Sequence, residues 1–337
     1  LQACGAVMLP LNTRLADAER VAMLRRWPVR RVLCPGSSAA SYDGFRRVPL
    51  GQPLAVAGPL SLLERPRPAG EGNHAERLHS AQMVVPTSGT SGVPKGVVLG
   101  AENFLASAGA VGRLLGLSAD DRWLLCMPLF HVAGLALVTR CALLGSAIVQ
   151  LSGFDEVAVS AALERQGVTH LALVPTMLRR LLDWRKGVRC PAQVRCVLLG
   201  GAPVDDALSQ EALALGYPIA PTYGMSETAS QVATCPPGQR PDGDGPWLSP
   251  LPGSEFRIVP LAGRSGCGEI QVRGPTLMRG YLAPDGSCHN PLQDGWLATG
   301  DLGRQDASGR LQLRGRVDDL IISGGENLYP LEIETVL

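Results

Sequence analysis

Helix and strand patterns alternate along the chain between residues 102 and 221, and this alternation restricts the possible folds more than any other feature. Short apolar segments typical of buried strands are separated by longer segments with helical periodicity. We expect strands at 123–127, 147–151, 170–174, 194–199 and 217–221. We expect helices at 102–115, 132–144, 155–166, 176–184 and 204–215, with Asp155 capping the third. The pattern predicts a largely parallel sheet covered by helices, with ligands at the carboxyl ends of its strands.

The segments on either side of this region do not show the alternation of helix and strand patterns. The sequence predicts a helix at Asp17–Arg26, a strand at 29–34, and loops and edge strands over 35–80. Beyond Pro236 the predicted strands are short, at 255–259, 269–272 and 311–314, which is typical of a small antiparallel region. A further strand at 318–322 and a helix near Pro330 would open a new unit. We therefore expect an α/β large domain over 1–317, truncated at its N-terminus, and at 318–337 a hinge and the start of a small C-terminal domain whose remainder is absent.

Composition excludes several classes of function. A net charge of +1 gives no reason to expect nucleic acid or a membrane surface as partner. The nine cysteines are an odd number without a Cys-x-x-Cys pair, which is typical of reduced thiols in a cytoplasmic protein. The apolar segment 132–151 is long enough to span a membrane, but Arg140 interrupts it, so we interpret it as a buried helix followed by a strand.

A loop rich in glycine and hydroxyl side chains precedes the alternating region. Residues 87–96 contain three glycines, four hydroxyls and one lysine, between apolar strand-like segments. Backbone N–H groups, hydroxyls and an ammonium group together suit a polyphosphate. The spacing does not fit a Walker A loop, and the alternative interpretation is a flexible linker. The candidate phosphate ligands are Thr87, Ser88, Gly89, Thr90, Ser91, Gly92 and Lys95.

Three other stretches carry candidate site residues. Glu227, beside hydroxyls, could hold Mg²⁺ against phosphate oxygens, and Tyr223 offers a ring for a base; the alternative is a helix N-cap at Ser226. Asp301 follows a glycine turn and could accept both ribose hydroxyls, or could be an ordinary turn aspartate. Arg316 lies near the predicted hinge, where the alternative is a solvated charge run.

His131 lies among apolar residues, where a histidine is commonly a core group. Separately, each of these stretches says little. In their order along the chain, four motifs resemble the acyl-adenylate-forming superfamily of acyl-CoA synthetases, luciferases and peptide-synthetase adenylation domains. These are the loop at 87–96, Tyr-Gly-Met-Ser-Glu at 223–227, Thr-Gly-Asp at 299–301 and Gly-Arg-Val-Asp at 315–318. Within the superfamily, 223–231 and 323–330 are most similar to the o-succinylbenzoate–CoA ligase family of menaquinone biosynthesis.

The resemblance implies a reaction in two steps with ATP, Mg²⁺ and coenzyme A. A carboxylate attacks the α-phosphorus of ATP to give acyl-AMP and pyrophosphate, and the CoA thiolate then displaces AMP. It implies that Lys95 and its loop hold the β- and γ-phosphates, that Glu227 binds Mg²⁺, and that Asp301 with Arg316 holds the ribose. His131 would lie beside the acyl group. Residues implied to frame the adenylate are Gly201, Ala202, Pro203, Thr222, Tyr223, Gly224, Met225 and Ser226, and Ser230 and Gln231 are the candidates for the acyl pocket.

Some alternatives stay open at this point. The family carries a catalytic lysine in its small C-terminal domain, and no lysine follows Lys186 here, so we expect this chain by itself to turn over poorly. The acid could be another aromatic or fatty acid, or the protein could bind nucleotide without catalysis. Activation of an amino acid is disfavoured, because no acidic residue lies between Arg122 and Gly153 to meet an ammonium group near His131. The sequence does not decide the oligomeric state, and a homodimer is one expectation.

Overall fold

The structure is a computed structural model that describes residues 7–12, 14–27, 29, 31–35, 46–50, 81–87, 94–239, 245–261, 266–317, 321–323 and 326–328. The described helices are α1 (Asp17–Arg26), α2 (Ala101–Leu115), α3 (Val132–Leu144), α4 (Glu156–Arg165), α5 (Pro175–Arg185) and α6 (Asp206–Ala214). The first eleven strands are β1 (Arg31–Pro35), β2 (Arg46–Leu50), β3 (Ala81–Thr87), β4 (Lys95–Gly100), β5 (Arg122–Leu125), β6 (Ala147–Gln150), β7 (His170–Leu173), β8 (Cys196–Leu199), β9 (Ile219–Met225), β10 (Ser230–Thr234) and β11 (Ser249–Pro250). The others are β12 (Glu255–Pro260), β13 (Gly268–Arg273), β14 (Gly280–Leu282), β15 (Cys288–His289), β16 (Leu297–Gln305), β17 (Leu311–Arg316), β18 (Ile321–Ser323) and β19 (Glu326–Leu328).

A seven-stranded sheet with the order β11-β10-β9-β8-β7-β5-β6 carries the alternating region. Strands β5 to β9 pair in parallel, whereas β10 and β11 are antiparallel. The prediction of a largely parallel sheet covered by helices is therefore confirmed. Asp155 caps α4 as expected, since its Oδ1 accepts a hydrogen bond of 2.8 Å from the backbone N–H of Ala158.

Both faces of this sheet are buried because side chains alternate along each strand. On β8, Val197 and Leu199 pack with α4, α5 and α6, whereas Cys196 and Leu198 pack on the opposite face. That opposite face is covered by α3 through Leu137 and Cys141. Near-continuous apolar strands of this kind explain why the sequence predicted buried strands rather than half-exposed ones.

Two antiparallel sheets complete the part of the fold that positions the site. One has the order β12-β13-β16-β17 and confirms the predicted antiparallel region beyond Pro236. The other has the order β15-β14-β4-β3, so the hairpin at the glycine-rich loop pairs with a strand almost 200 residues later, Gly280–Leu282. One apolar cluster joins both sheets to β9 and β10. Elsewhere, β1 and β2 form a parallel pair and β18 and β19 an antiparallel pair.

Three local features of the structure differ from those predicted from the sequence, and those predictions are wrong. The strand expected to end at residue 221 continues to Met225, so Tyr223 and Gly224 lie within β9 rather than after it. The following antiparallel strand β10 was not predicted. Asp301 lies inside the nine-residue strand β16 rather than after a glycine turn, although Gly300 does have a positive φ of 72°.

Gly224 explains the close pairing of β9 with β10. A Cβ added there would lie 2.1 Å from the carbonyl oxygen of Ser230, so a larger residue would push the two strands apart. The helix expected near Pro330 and most of the segment 35–80 lie outside the described residues. Among the described residues, no helix is both long and apolar enough to cross a membrane.

Candidate active site

The glycine-rich loop closes a β-hairpin. Thr87 ends β3, Lys95 begins β4, and the two residues are paired across the hairpin. Lys95 is exposed, and its Nζ lies 5.2 Å from the centre of the Tyr281 ring. Ser88, Gly89, Thr90, Ser91 and Gly92 lie outside the described residues. As predicted, the loop leads into a strand rather than a helix.

Glu227 lies on a short 3₁₀ turn, Ser226–Thr228, directly after β9. The turn is fixed by Thr228, whose hydroxyl binds the backbone of Met225 and Ser230. The Glu227 carbonyl accepts a 2.7 Å hydrogen bond from the N–H of Met278, and its Oε1 accepts one of 2.9 Å from the Tyr281 hydroxyl. Ser226 is not the N-cap that the alternative interpretation required, since Met225 occupies that position.

Tyr281 joins Glu227 to Lys95, and the sequence analysis did not identify it. Its hydroxyl contacts the carboxylate and its ring contacts the ammonium group. Burial, and then the Glu227 charge, raise the pKa of Tyr281 well above its usual value, so the hydroxyl remains a donor. Only the pairing of β14 with β4 brings Tyr281 here, and no local pattern in the sequence predicts that pairing.

A second group of residues brings three of the predicted motifs together. The Tyr223 hydroxyl donates a 2.7 Å hydrogen bond to Asp301 Oδ2, and Arg316 donates one of 2.9 Å to Asp301 Oδ1. Asp301 and Arg316 are directly paired across β16 and β17. Burial raises the pKa of Tyr223 well above 10, so this hydroxyl also remains protonated. Each carboxylate oxygen has two lone pairs, so a carboxylate such as that of Asp301 can accept several hydrogen bonds at once.

The Gly201-Ala202-Pro203 segment is exposed and follows β8 at the carboxyl end of the parallel sheet. Preceding it, Gly200 lies against Thr222, because a Cβ at Gly200 would be 2.8 Å from Thr222 Cγ2. Thr222 in turn bonds Thr234 at 2.8 Å. The loop and the strand that carry these candidate residues are therefore in contact.

His131 is exposed at the N-terminus of α3, so the interpretation as a core histidine is wrong. Partial burial, and then the charge of Arg14, lower the pKa of His131 below 6.5, which favours the neutral imidazole. One helical position further, Val132 packs against the same apolar cluster as Met225. The start of α3 and the end of β9 therefore border one apolar cluster.

The two acyl-pocket candidates differ in exposure. Ser230 is half-buried with a positive φ of 98°, whereas Gln231 is only 4% exposed. Gln231 donates to Thr234 and accepts a 3.3 Å hydrogen bond from Arg140. Gln231 is also the direct partner of Gly224 across β9 and β10.

Arg140 was not among the site candidates from the sequence, and it contacts the candidate Gln231. It is 2% exposed, it lies 4.9 Å from the centre of the Trp123 ring, and its Nε has no hydrogen-bond partner among the described residues. Burial lowers its pKa to about 10, which still leaves it charged at neutral pH. The signal available in the sequence was a lone charge within the apolar helix Val132–Leu144.

The donor set suits a metal that arrives with a nucleotide. In the described part of the chain, no three His, Cys, Asp or Glu side chains are grouped as a metal site. Mg²⁺ is commonly held by one or two carboxylates together with substrate phosphates and waters. A single half-buried carboxylate, Glu227, near Lys95 therefore fits Mg²⁺ bound with a polyphosphate.

Comparison with known proteins decides the family. A family model described as AMP-binding enzyme matches residues 1–282. The chain belongs to the AMP-binding enzyme family. Two of its relatives are 2-succinylbenzoate–CoA ligases. The one from Bacillus pumilus is 41% identical, over 99% of this chain and 67% of that protein. The one from Bacillus licheniformis is 36% identical, over 99% of this chain and 69% of that protein.

Solved structures of this family have the same fold. O-succinylbenzoate coenzyme A synthetase from Bacillus subtilis in complex with AMP has a TM-score of 0.80 and 34% identity, over 97% of this chain and 67% of that one. The same enzyme in complex with ATP and magnesium ion has a TM-score of 0.80 and 33% identity, over the same shares. The present chain thus spans about two thirds of the length of these AMP-binding enzymes.

Proposed function

We propose that this protein is an ATP-dependent acid–CoA ligase that activates o-succinylbenzoate through an acyl-adenylate. The observation that carries the proposal is the contact of Tyr223 and Arg316 with Asp301, because three motifs distant in sequence meet at one carboxylate. The relatives named as 2-succinylbenzoate–CoA ligases support the substrate.

Different groups of residues bind the ribose, the phosphates and the adenine of the nucleotide. Asp301 accepts the ribose hydroxyls, with Arg316 fixing the carboxylate. Lys95 and Thr87, with loop residues 88–92, hold the β- and γ-phosphates. Charged and N–H donors there offset the repulsion between a carboxylate and a triphosphate, which is the main obstacle to adenylation. The adenine lies between the exposed loop at 201–203 and the edge of β9, formed by Thr222, Tyr223, Gly224 and Met225, with Ser226 at the start of the turn.

Glu227 is the residue that would hold Mg²⁺. Bound there, the ion would neutralise charge on the phosphate oxygens. The two bond changes are then direct displacements: the acid oxygen bonds the α-phosphorus as pyrophosphate leaves, and the CoA sulfur bonds the acyl carbon as AMP leaves. His131, exposed at the start of α3, lines the approach to the acyl carbon.

Arg140 and Gln231 would receive the second carboxylate of a dianionic acid. A buried cation is costly without an anion, and in the described residues Arg140 contacts an amide and an aromatic ring rather than a carboxylate. The residue lies on α3 nine positions after His131, or about 13 Å along the helix axis. Ser230 is adjacent to Gln231 and would complete this end of the pocket.

A thioester assay with o-succinylbenzoate, benzoate, coumarate and octanoate tests the substrate. Although turnover by this chain is expected to be slow, we expect the highest kcat/KM for o-succinylbenzoate. The preference over benzoate should fall by about tenfold or more in Arg140→Met, which keeps volume but removes the charge. Equal use of the four acids would contradict the substrate assignment. A preference unchanged in the variant would remove Arg140 from the pocket.

The oligomeric state, location and domain division are further parts of the proposal. We infer a cytoplasmic protein, since the free cysteines suit a reducing compartment and ATP and CoA are available there. We also propose a homodimer, which light scattering on the purified protein would test. A large domain over 1–317 with a hinge from residue 318 remains our interpretation of the sequence, supported by the position of Arg316 on the last strand of the antiparallel sheet.

A further inference from the structure

Tyr281 has no role in the proposed nucleotide contacts, yet it lies between the two charged groups that would hold the phosphates and the metal. Its hydroxyl donates to Glu227 Oε1 at 2.9 Å, and its ring lies 5.2 Å from Lys95 Nζ. Glu227 and Lys95 belong to motifs that are 132 positions apart in the sequence, and Tyr281 contacts both. A single rigid side chain thus relates the positions of the carboxylate and the ammonium group.

The backbone around Tyr281 is held on both sides. Tyr281 pairs with Val97 on β4 and with His289 on β15. The preceding Gly280 has a φ of 150°, and a Cβ there would lie 2.2 Å from the His289 carbonyl, so the approach of the strands requires glycine. The ring is therefore attached to a strand at the middle of a sheet rather than to a loop.

The residues just before Tyr281 are hydrogen-bonded to the Ser226–Thr228 turn that carries Glu227. The N–H of Met278 donates to the Glu227 carbonyl, and the N–H of Arg279 donates to the Val98 carbonyl. Asn103, buried at the start of α2, donates to the Leu277 carbonyl at 2.8 Å. Both the main chain and the side chain of Glu227 are thus bonded to residues of one segment, which is itself bonded to β4 and α2.

We propose that Tyr281 is a positioning residue that orients the Glu227 carboxylate toward the cation bound with the triphosphate held at Lys95. The inference rests on the proposed function, because it assumes that Mg²⁺·ATP binds here. A carboxylate oxygen that accepts one hydrogen bond keeps a second lone pair, so the bond fixes the side chain without blocking a cation. The cation–π contact with the Tyr281 ring keeps the Lys95 ammonium group on the same side of the turn.

Calorimetric titration of ATP, with Mg²⁺ and with EDTA instead, tests this role without relying on turnover. Tyr281→Phe keeps the ring and removes the hydroxyl. We expect its affinity for ATP in EDTA to equal that of the wild type, whereas the gain in affinity on adding Mg²⁺ falls about tenfold, the value of a hydrogen bond to a charged group. Tyr281→Leu also removes the ring, so it should weaken ATP binding in EDTA as well.

Tyr217→Phe is the matched control, because Tyr217 is a buried tyrosine in the separate core beneath α4, α5 and α6. We expect it to leave the Mg²⁺ gain unchanged. In ATP–pyrophosphate exchange, Tyr281→Phe should raise the Mg²⁺ concentration needed for half-maximal rate about tenfold, with kcat recovered at high Mg²⁺. A wild-type gain that persists in Tyr281→Phe would overturn this inference alone. Absence of ATP binding by the wild type would overturn the proposed function as well.

Discussion

The two ends of the parallel sheet both carry charged and polar side chains, but they use them differently. At the amino ends of β5, β7 and β8, the residues are Asp121, His170 and Arg195. Asp121 accepts from Arg195 at 2.6 Å and from the N–H of Ser118 at 2.8 Å, while His170 bonds Thr169 at 2.8 Å. These groups are bonded to one another and to the backbone, and Asp121 is 1% exposed.

At the carboxyl end the corresponding groups are only half-buried. Glu227 and Asp301 each accept bonds from a tyrosine hydroxyl but remain partly open to solvent, and Lys95 is exposed. Buried polar groups that bind one another stabilise a fold, whereas groups that stay partly exposed are accessible to a ligand. The comparison predicts that substitutions at the amino end change stability, and that substitutions at the carboxyl end change nucleotide binding.

The largest effect is expected from Asp121→Ala. It leaves the Ser118 N–H and the Arg195 guanidinium without the carboxylate that accepts from them, and we expect the free energy of unfolding in urea to fall by about 3 kcal/mol. The affinity for Mg²⁺·ATP of the folded protein should stay within twofold of wild type. Asp183→Ala is the control, since Asp183 forms an exposed pair with Arg179 at 3.8 Å and should cost less than about 0.5 kcal/mol. Weakened ATP binding at unchanged stability in Asp121→Ala would contradict the comparison.

Asp301→Ala should weaken adenylate formation and leave the fold intact. Adenylate formation, measured by ATP–pyrophosphate exchange, is expected to fall at least about tenfold, because the ribose hydroxyls and Arg316 lose a charged acceptor. The circular dichroism spectrum should match that of the wild type. Glu227→Ala is expected to behave in the same way at the phosphate end of the site. Normal exchange in either variant would remove that residue from the site.

The difference between the ends also explains what the sequence could predict. The parallel sheet was predictable because buried strands are apolar segments in the sequence. The capping role of Asp155 was predictable because a helix N-cap depends only on neighbouring residues. Glu227, Asp301 and Arg316 were candidates from their residue types, and the resemblance to a family implied their roles. The structure brings Asp301 and Arg316 together. The place of Tyr281 was not predictable, because it depends on pairing between strands separated by more than 180 residues.

Local strand ends were mispredicted for a related reason. The strand was expected to end at residue 221, with Tyr223 and Gly224 following it. The structure continues the strand because β10 pairs with it, and Gly224 allows that approach. At position 224, glycine is therefore required by the close approach of β9 and β10, and it does not indicate a turn.

The smallest effect, a pH dependence of stability, is expected from His170. Burial is the main cause that lowers its pKa from 6.5 to about 4, with Asp121 opposing the shift and Arg195 and Arg140 adding to it. The unfolded chain then binds more protons than the folded one between these values, so this contribution to stability is complete above pH 6.5 and is lost as the pH falls toward 4. Between pH 7 and pH 5.5 the loss is about 1 kcal/mol. Urea unfolding at both pH values should show this loss in the wild type and a smaller one in His170→Gln, and equal losses in both would show that His170 is not the titrating group.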